Sequence, residues 1–337
     1  AYIELLRAVA TIAVVFLHIN MTLVANYSID EIGVWSYAIF NDCYFMVKWA
    51  VPCFIMISGA LLLNPSRNVT YEKIKKYIIR MALVLLTFGV FYAFTELFFE
   101  TRRISITIVL KSVLNMLQGQ SWSHMWYVYM LIGLYLITMP LRYVMDKVTE
   151  KELEGMVIGL ALGLFILPSI NTVFSLKLEN YMLISEYIGW YVIGYYLSVT
   201  KRNWGKLAVP IAIISVILMI GLENISLFQR NESFLLNHQT KNVLTLGLGM
   251  SVFVLVKSIV RVVDYKDGAF CRIICENSFA IYLIHPFWIN LIYKVFKITP
   301  LSFPIYIGIP VLFLVVFIMS LISGAVVRKI PLIRKIL

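Results

Sequence analysis

Long apolar stretches separated by short polar stretches dominate the chain. Ten of them have the length of a membrane-spanning helix, which needs about 20 residues. The polar segments between them are at most about twenty residues long, too short for a soluble domain. The pattern therefore predicts an all-α integral membrane protein, with about ten transmembrane helices in one bundle and a single domain over residues 1–337. The predicted spans are 5–25, 43–63, 77–98, 123–141, 155–174, 181–199, 207–223, 243–260, 274–293 and 304–326.

One further apolar segment, residues 104–117, differs from these spans. It is short and carries Lys111 and Asn115. A helix lying in the outer membrane interface fits this pattern better than a span.

Composition agrees with a membrane protein. The chain is 61% apolar and only 14% charged, whereas about a quarter of the residues in soluble domains are charged. Its net charge of +11 does not point to nucleic acid, because the basic residues flank apolar segments and form no single patch. The four cysteines form no CxxC pair or metal-like set, so neither a disulfide nor a metal site is expected.

The basic residues also predict the orientation in the membrane. Alternate loops hold nineteen and eight Lys and Arg residues. Cytoplasmic loops carry the excess of Lys and Arg in membrane proteins. Both termini are therefore expected in the cytoplasm.

The first span contains two ionisable residues, Arg7 and His18. Eleven positions make about three helical turns, so both side chains share one face about 16 Å apart. Ionisable groups inside a membrane are costly and usually functional. A neutral imidazole can act as a general base, and an arginine can bind an anionic cosubstrate. The alternative is an Arg7 that reaches the headgroups or pairs with Glu4, beside a histidine that only satisfies its surroundings.

The spacing of Arg7 and His18 resembles the signature of the acyltransferase-3 family of bacterial membrane acyltransferases. Later stretches are similar to the family's segments in the same order, and together they cover almost the whole chain. They are Val51–Leu63 with its Ser58-Gly59 pair, His124–Ile137, Gly189–Leu197, and Asn277–Phe287 with its Leu-x-His-Pro pattern.

This resemblance implies transfer of an acyl group, usually acetyl, from cytoplasmic acyl-CoA to a hydroxyl of an extracytoplasmic carbohydrate or cell-surface glycan. His18 would be the general base, and Arg7 the cation that positions the cosubstrate. Acetyl-CoA is then the cosubstrate, no metal is needed, and the bacterial cytoplasmic membrane is the location. The partners are the lipid bilayer, acyl-CoA and a glycan or small hydroxyl acceptor, with no nucleic acid; a homo-oligomer is left open.

Three cations of a predicted inner loop, Lys73, Lys76 and Arg80, lie on one helical face at spacings of three and four. They are candidates for binding the phosphates of CoA. The alternative is that they only follow the charge bias of cytoplasmic loops.

Six residues are candidates for substrate binding, from the resemblance and their predicted positions. Glu186 or Glu96 is also placed to orient His18, whereas His285 has an alternative role in satisfying backbone groups freed by Pro286. The six candidates are Ser58, His124, Trp126, Tyr127, Glu186 and His285.

A transporter is the alternative function. Some domains similar to this family are joined to a serine racemase in vancomycin resistance and have been proposed to import serine. A transporter predicts broken helices around a site near the middle of the membrane. Pro286 and the stretch Ala50-Val51-Pro52 are the candidate breaks. A purely structural membrane scaffold leaves Arg7 and His18 unexplained.

Overall fold

The computed structural model describes residues 1–177, 185–229, 238–263 and 268–337. Three sequence predictions fall partly or wholly outside these ranges. The first four residues of the predicted span 181–199 are not described, nor are Arg230 and Lys266, two of the loop cations.

The described residues form helices and contain no strand, which confirms the all-α class. Three π-helical turns, Leu85–Gly89, Leu162–Ile166 and Leu291–Val295, continue the helices that precede them. The helices are α1 (Tyr2–Asn26), α2 (Ile29–Ile32), α3 (Val34–Met46), α4 (Ala50–Leu62), α5 (Tyr71–Val84), α6 (Val90–Thr101), α7 (Ile106–Leu117), α8 (Trp126–Lys147), α9 (Glu150–Ala161), α10 (Leu167–Phe174), α11 (Glu186–Val199), α12 (Gly205–Gln229), α13 (His238–Val263), α14 (Ala269–Asn290), α15 (Ile305–Val327) and α16 (Pro331–Arg334).

Eight helical segments among the described residues are long and apolar enough to cross a membrane, and they coincide with eight of the ten predicted spans. The other two predictions fall on α11, which has 14 residues, and on α14, which has 22 residues but carries Asn277 and His285 among its apolar side chains. The eight segments are Tyr2–Asn26, Val34–Leu62, Tyr71–Thr101, Ser123–Lys147, Glu150–Phe174, Gly205–Gln229, Lys241–Val263 and Ile305–Val327.

The apolar segment 104–117 forms the short helix α7. The Ser105 side chain accepts a hydrogen bond from the Ile108 backbone N–H at 3.3 Å and caps its first turn. Ile106, Leu110 and Leu114 are exposed along the helix. An exposed apolar face is what the predicted interfacial helix requires.

The chain divides into two compact units. The first comprises Ala1–Leu61 and Val148–Ser323, and the second comprises Leu62–Lys147 and Gly324–Leu337. In the first unit, α1 packs against α14 and α15 through a buried apolar cluster that includes Val15, Ile281 and Val316.

In the second unit, Arg142 of α8 fixes the segment that follows α4. Its guanidinium donates hydrogen bonds to the carbonyls of Leu62 and Asn64, both at 2.7 Å, and of Arg67 at 2.8 Å. Three backbone acceptors that no helix satisfies are thereby paired by one side chain.

The predicted second span is broken at Val47–Trp49, between α3 and α4. Pro52 has no N–H and so cannot bond to the carbonyl of Lys48, which ends the regular pattern. The Ala50 N–H bonds to the Val47 carbonyl at 3.0 Å, and the Trp49 indole N–H donates to the Met46 carbonyl at 2.9 Å. The Trp49 side chain therefore supplies the donor that a continuous helix would have given to Met46.

Candidate active site

Helix α1 carries Arg7 and His18 on one uninterrupted stretch of 25 residues. Several of its polar side chains bond to the backbone carbonyl four residues before them. The Thr11 hydroxyl donates to the Arg7 carbonyl at 2.8 Å, and the Thr22 hydroxyl donates to the His18 carbonyl at 2.6 Å. Such local bonds let polar side chains sit in a membrane helix without unsatisfied groups.

The orientation of His18 determines which ring nitrogen is basic. Its Nδ1 lies 2.9 Å from the Val14 carbonyl oxygen. A carbonyl oxygen can only accept, so Nδ1 carries the proton of the neutral ring. The lone pair is then on Nε2, the nitrogen directed away from the helix backbone, and Nε2 is the atom that can accept a proton.

His285 of α14 lies beside His18, with ring centroids 4.8 Å apart and the planes at 65°. His285 is fully buried, and its Nδ1 lies 3.0 Å from the Ile281 carbonyl, so its ring has the same tautomer as His18. The carbonyl that Pro286 leaves without its helical partner is that of Tyr282, one residue further on. The His285 ring thus bonds the carbonyl one residue before the one that Pro286 frees.

In the described part of the chain, neither of the two carboxylates considered for orienting His18 is hydrogen-bonded to its ring. Glu186 accepts a hydrogen bond from the Asn242 amide at 2.7 Å. Glu96 is exposed in the second unit. The Val14 carbonyl is the group that orients the His18 ring.

Arg7 is half-buried and forms no ion pair with any described residue. Its predicted alternative partner, Glu4, is one of these described residues. The Cys275 thiol donates to the Glu4 carbonyl at 2.8 Å. The start of α1 is thus attached to α14, and the Arg7 guanidinium keeps its donors for another partner.

The Ser58-Gly59 pair of α4 lies at a close helix crossing. A Cβ on Gly59 would lie 1.8 Å from the Tyr191 carbonyl oxygen, and a Cβ on Gly194 would lie 2.1 Å from the Met56 carbonyl oxygen. Helices α4 and α11 therefore touch backbone to backbone, which only small residues allow. The Ser58 hydroxyl donates to the Phe54 carbonyl at 3.0 Å within its own helix.

In the second unit, His124 is buried in an aromatic cluster. Its ring lies 5.1 Å from the Tyr92 ring, and Tyr92 stacks on Trp122 with centroids 4.3 Å apart. Trp126 and Tyr127 lie nearby in sequence, with their rings perpendicular at 6.0 Å, and Trp126 is exposed.

The three cations of α5 do not share one environment. Lys73 and Lys76 are exposed, and the Lys73 ammonium donates to the Asn68 carbonyl at 3.4 Å. The Arg80 guanidinium donates to the carbonyls of Ile336 and Leu337. One helix does carry all three, as the spacing predicts.

The structure also brings together polar residues that the sequence did not group. The Lys241 ammonium lies 2.5 Å from Glu223, which also accepts from the Asn41 amide at 3.2 Å, and both Glu223 and Glu186 interact electrostatically with Lys48. In the sequence, this group of residues is marked by nothing more than charged residues at the ends of apolar runs. Among the described residues, no group of three or more His, Cys, Asp or Glu side chains is arranged to hold a metal ion.

A family model described as an acyltransferase domain matches residues 1–328. The chain belongs to the acyltransferase-3 family. Together with its apolar helices, this membership makes it a multi-pass membrane acyltransferase. Among curated proteins and among solved structures, no match to the chain was found. The acyltransferase-3 match covers both the Arg7–His18 helix and the His285 helix.

Proposed function

We propose that the protein transfers an acyl group, usually acetyl, from cytoplasmic acyl-CoA to a hydroxyl of an extracytoplasmic carbohydrate or cell-surface glycan. In this proposal it crosses the bacterial cytoplasmic membrane ten times, with both termini in the cytoplasm. Family membership supports the acyl transfer. The charge bias of the loops supports the orientation of the termini.

The observation that carries the proposal is the arrangement of His18. Its Nδ1–H is held by the Val14 carbonyl, so a basic Nε2 is presented by a rigid helix. A general base must be neutral before it acts and must be positioned relative to the proton that it removes. The neighbouring His285 is a neutral ring with the same tautomer, so it does not repel the positive charge that His18 acquires.

In the proposed reaction, His18 Nε2 takes the proton of the acceptor hydroxyl while the hydroxyl oxygen attacks the carbonyl carbon of the thioester. The tetrahedral intermediate collapses, the carbon–sulfur bond breaks, and the CoA thiolate takes the proton from the His18 imidazolium. Ser58 is proposed as a hydrogen-bond donor to the oxyanion, which requires its hydroxyl to exchange the bond to the Phe54 carbonyl. His124, Trp126 and Tyr127 are proposed to bind the acceptor.

On the donor side, Arg7 is proposed to bind a polar or anionic part of acyl-CoA. Its lack of an ion pair with the described residues supports this role, because an unpaired guanidinium retains its fork of donors. Lys73, Lys76 and Arg80 are proposed to bind the CoA phosphates. For Arg80 this requires exchange of its bonds to the Ile336 and Leu337 carbonyls.

Transport of a small solute such as serine is the second candidate function. The observation in its favour is the helix break at Val47–Trp49 inside a candidate span, next to the predicted Ala50-Val51-Pro52 stretch. The family match favours the transferase.

The test is release of free CoA thiol from acetyl-CoA by the purified protein, with and without an extract of the host's surface glycans. Turnover that rises with glycan and is lost in His18→Gln supports the transferase. Thr22→Val is the matched control, because it changes a neighbouring side chain on α1 without touching the imidazole. Absence of turnover, together with movement of labelled serine into liposomes, would replace the transferase by the transporter.

A further inference from the structure

The break in the second span places an ammonium group inside a candidate membrane segment. Lys48 lies in the turn between α3 and α4 and is half-buried, with its ammonium 5.8 Å from the centre of the Phe45 ring. Its ammonium forms no ion pair and no hydrogen bond with a residue that the structure describes. The carbonyl end of α3 favours a cation at this position, but a half-buried ammonium still requires hydrogen-bond acceptors.

Two carboxylates interact electrostatically with Lys48, and both are held in place by other partners. Glu186 accepts from the Asn242 amide at 2.7 Å, and Glu223 is paired with Lys241 at 2.5 Å. An ionised carboxylate has about four acceptor positions. Both groups are therefore fixed by these contacts and still able to accept further hydrogen bonds.

A third carboxylate extends the cluster on α3. The Asn224 amide donates to both oxygens of Asp42, at 3.0 and 3.2 Å. The Asn224 side-chain oxygen is buried and has no partner among the described residues. A buried acceptor of this kind is usually paired in a native structure, so this oxygen can accept a further hydrogen bond.

The balance of charge in the cluster selects the kind of molecule that fits. The charged groups that interact with Lys48 are the ammonium of Lys241 and the carboxylates of Glu186 and Glu223. Asp42 adds a third carboxylate, which interacts with Glu223. An anionic ligand would meet the three carboxylates, and a cationic ligand would meet the two ammonium groups. A neutral ligand with several hydroxyls would accept from the lysines and donate to the carboxylates without adding a charge to the cluster.

The cluster is also connected to the catalytic helix. Phe40 of α3 and Leu23 of α1, five residues beyond His18, belong to one buried apolar cluster. In the orientation predicted from the loop charges, Glu186, Glu223 and Lys241 lie at the outer ends of α11, α12 and α13.

We propose that the polar cluster around the Val47–Trp49 break binds an uncharged sugar ring and so holds the acceptor, with Lys48 as the central hydrogen-bond donor. This assignment rests on the proposed function and narrows it, because acidic sugars and amino sugars with a free ammonium group are disfavoured as acceptors. The alternative is a purely structural network that joins four helices.

The test is equilibrium dialysis of the purified protein against labelled N-acetylglucosamine, glucosamine and glucuronate at pH 7, which are neutral, cationic and anionic probes. We expect saturable binding of the neutral sugar and at least tenfold weaker binding of the two charged sugars. Lys48→Met should weaken binding of N-acetylglucosamine at least tenfold. If Lys48→Met does not fold, Glu186→Gln, which keeps the size of the side chain, should show the same loss.

Lys257→Met is the matched control. Lys257 is another half-buried lysine of the first unit, and its ammonium donates to the Leu197 and Ser198 carbonyls at 2.6 and 3.1 Å. Its loss should lower stability without changing sugar binding. Three results would each overturn the inference: no saturable binding of the neutral sugar, equal binding of a charged sugar, or an equal loss in Lys257→Met.

The outcome also separates this inference from the proposed function. His18→Gln should bind N-acetylglucosamine like the wild type while losing acyl transfer. If the wild-type protein binds the sugar but transfers no acyl group, the proposed function is refuted and the sugar site is not. If the protein transfers an acyl group and Lys48→Met leaves the KM for the acceptor unchanged, the sugar site is refuted and the proposed function is not.

Discussion

The first and second spans hold ionisable residues inside a membrane segment in opposite ways. Helix α1 is continuous, and its polar side chains bond to carbonyls of the same helix, as His18 does to Val14. The second span is interrupted at Val47–Trp49, and Lys48 in the break depends on side chains from other helices.

The difference separates two functional requirements. A general base must keep one geometry, which an intact helix and a local hydrogen bond provide. A site for a polar ligand needs donors and acceptors from several directions, which a break makes accessible. The four predictions below test this contrast, starting with the largest expected effect.

The largest effect should come from His18→Gln. Loss of the proposed general base is expected to reduce acyl transfer by about 10²–10⁴-fold, with little change in stability. In the wild type, the rate should fall as the pH is lowered, because a protonated imidazole cannot accept a proton. Rates of CoA thiol release between pH 5 and 8 check both expectations. A variant with wild-type rates would show that α1 does not carry the base.

Arg7→Met should act on the donor rather than on the chemistry. Loss of hydrogen bonds to a charged group is worth about 1.5–3 kcal/mol, so the KM for acetyl-CoA should rise by about 10–150-fold. Steady-state kinetics at saturating glycan extract measure this change. Arg7→Lys keeps the charge and should lose less. A fall in kcat at unchanged KM would contradict a positioning role in donor binding.

Gly59→Ala tests the packing of the second span. Its Cβ would lie 1.8 Å from the Tyr191 carbonyl oxygen, so α4 and α11 must separate. We expect a loss of about 1–3 kcal/mol in the free energy of unfolding, measured by thermal unfolding in detergent. Gly159→Ala is the control, since nothing lies within 4 Å of its added Cβ. Equal stability of the two variants would exclude the backbone contact.

Trp49→Phe should have the smallest effect. It removes the indole N–H that bonds to the Met46 carbonyl at the break. One lost hydrogen bond should lower stability by about 0.5–1.5 kcal/mol, seen as a small drop in Tm. Trp35→Phe, at an exposed tryptophan, should leave Tm unchanged. An unchanged Tm in Trp49→Phe would mean that the break does not need this bond.

The class of fold could be predicted because apolar runs of fixed length determine membrane helices. Eight predicted spans coincide with long apolar helices, and Arg7 and His18 lie on one intact helix, as their spacing requires. Local periodicity decides such features.

Other features depended on contacts between distant segments. His18 and His285 are far apart in sequence and meet only because α1 packs on α14. The carboxylates that interact electrostatically with Lys48 come from α11 and α12, so no local pattern groups them. The orienting group of His18 was sought among carboxylates, whereas a backbone carbonyl has no sequence signal.

Helix α11 is buried and is short compared with the thickness of a membrane. Every residue from Gly189 to Leu197 is buried, so this helix is shielded from lipid by its neighbours. Its 14 residues extend about 21 Å, whereas a bilayer's hydrocarbon core is about 30 Å thick. At the C-terminal end of α11, the Lys257 ammonium satisfies the carbonyls of Leu197 and Ser198. If α11 is the sixth span, the two aqueous faces at this helix would be separated by only about two thirds of the thickness of the hydrocarbon core. Such local thinning would shorten the path between a cytoplasmic thioester and an external hydroxyl.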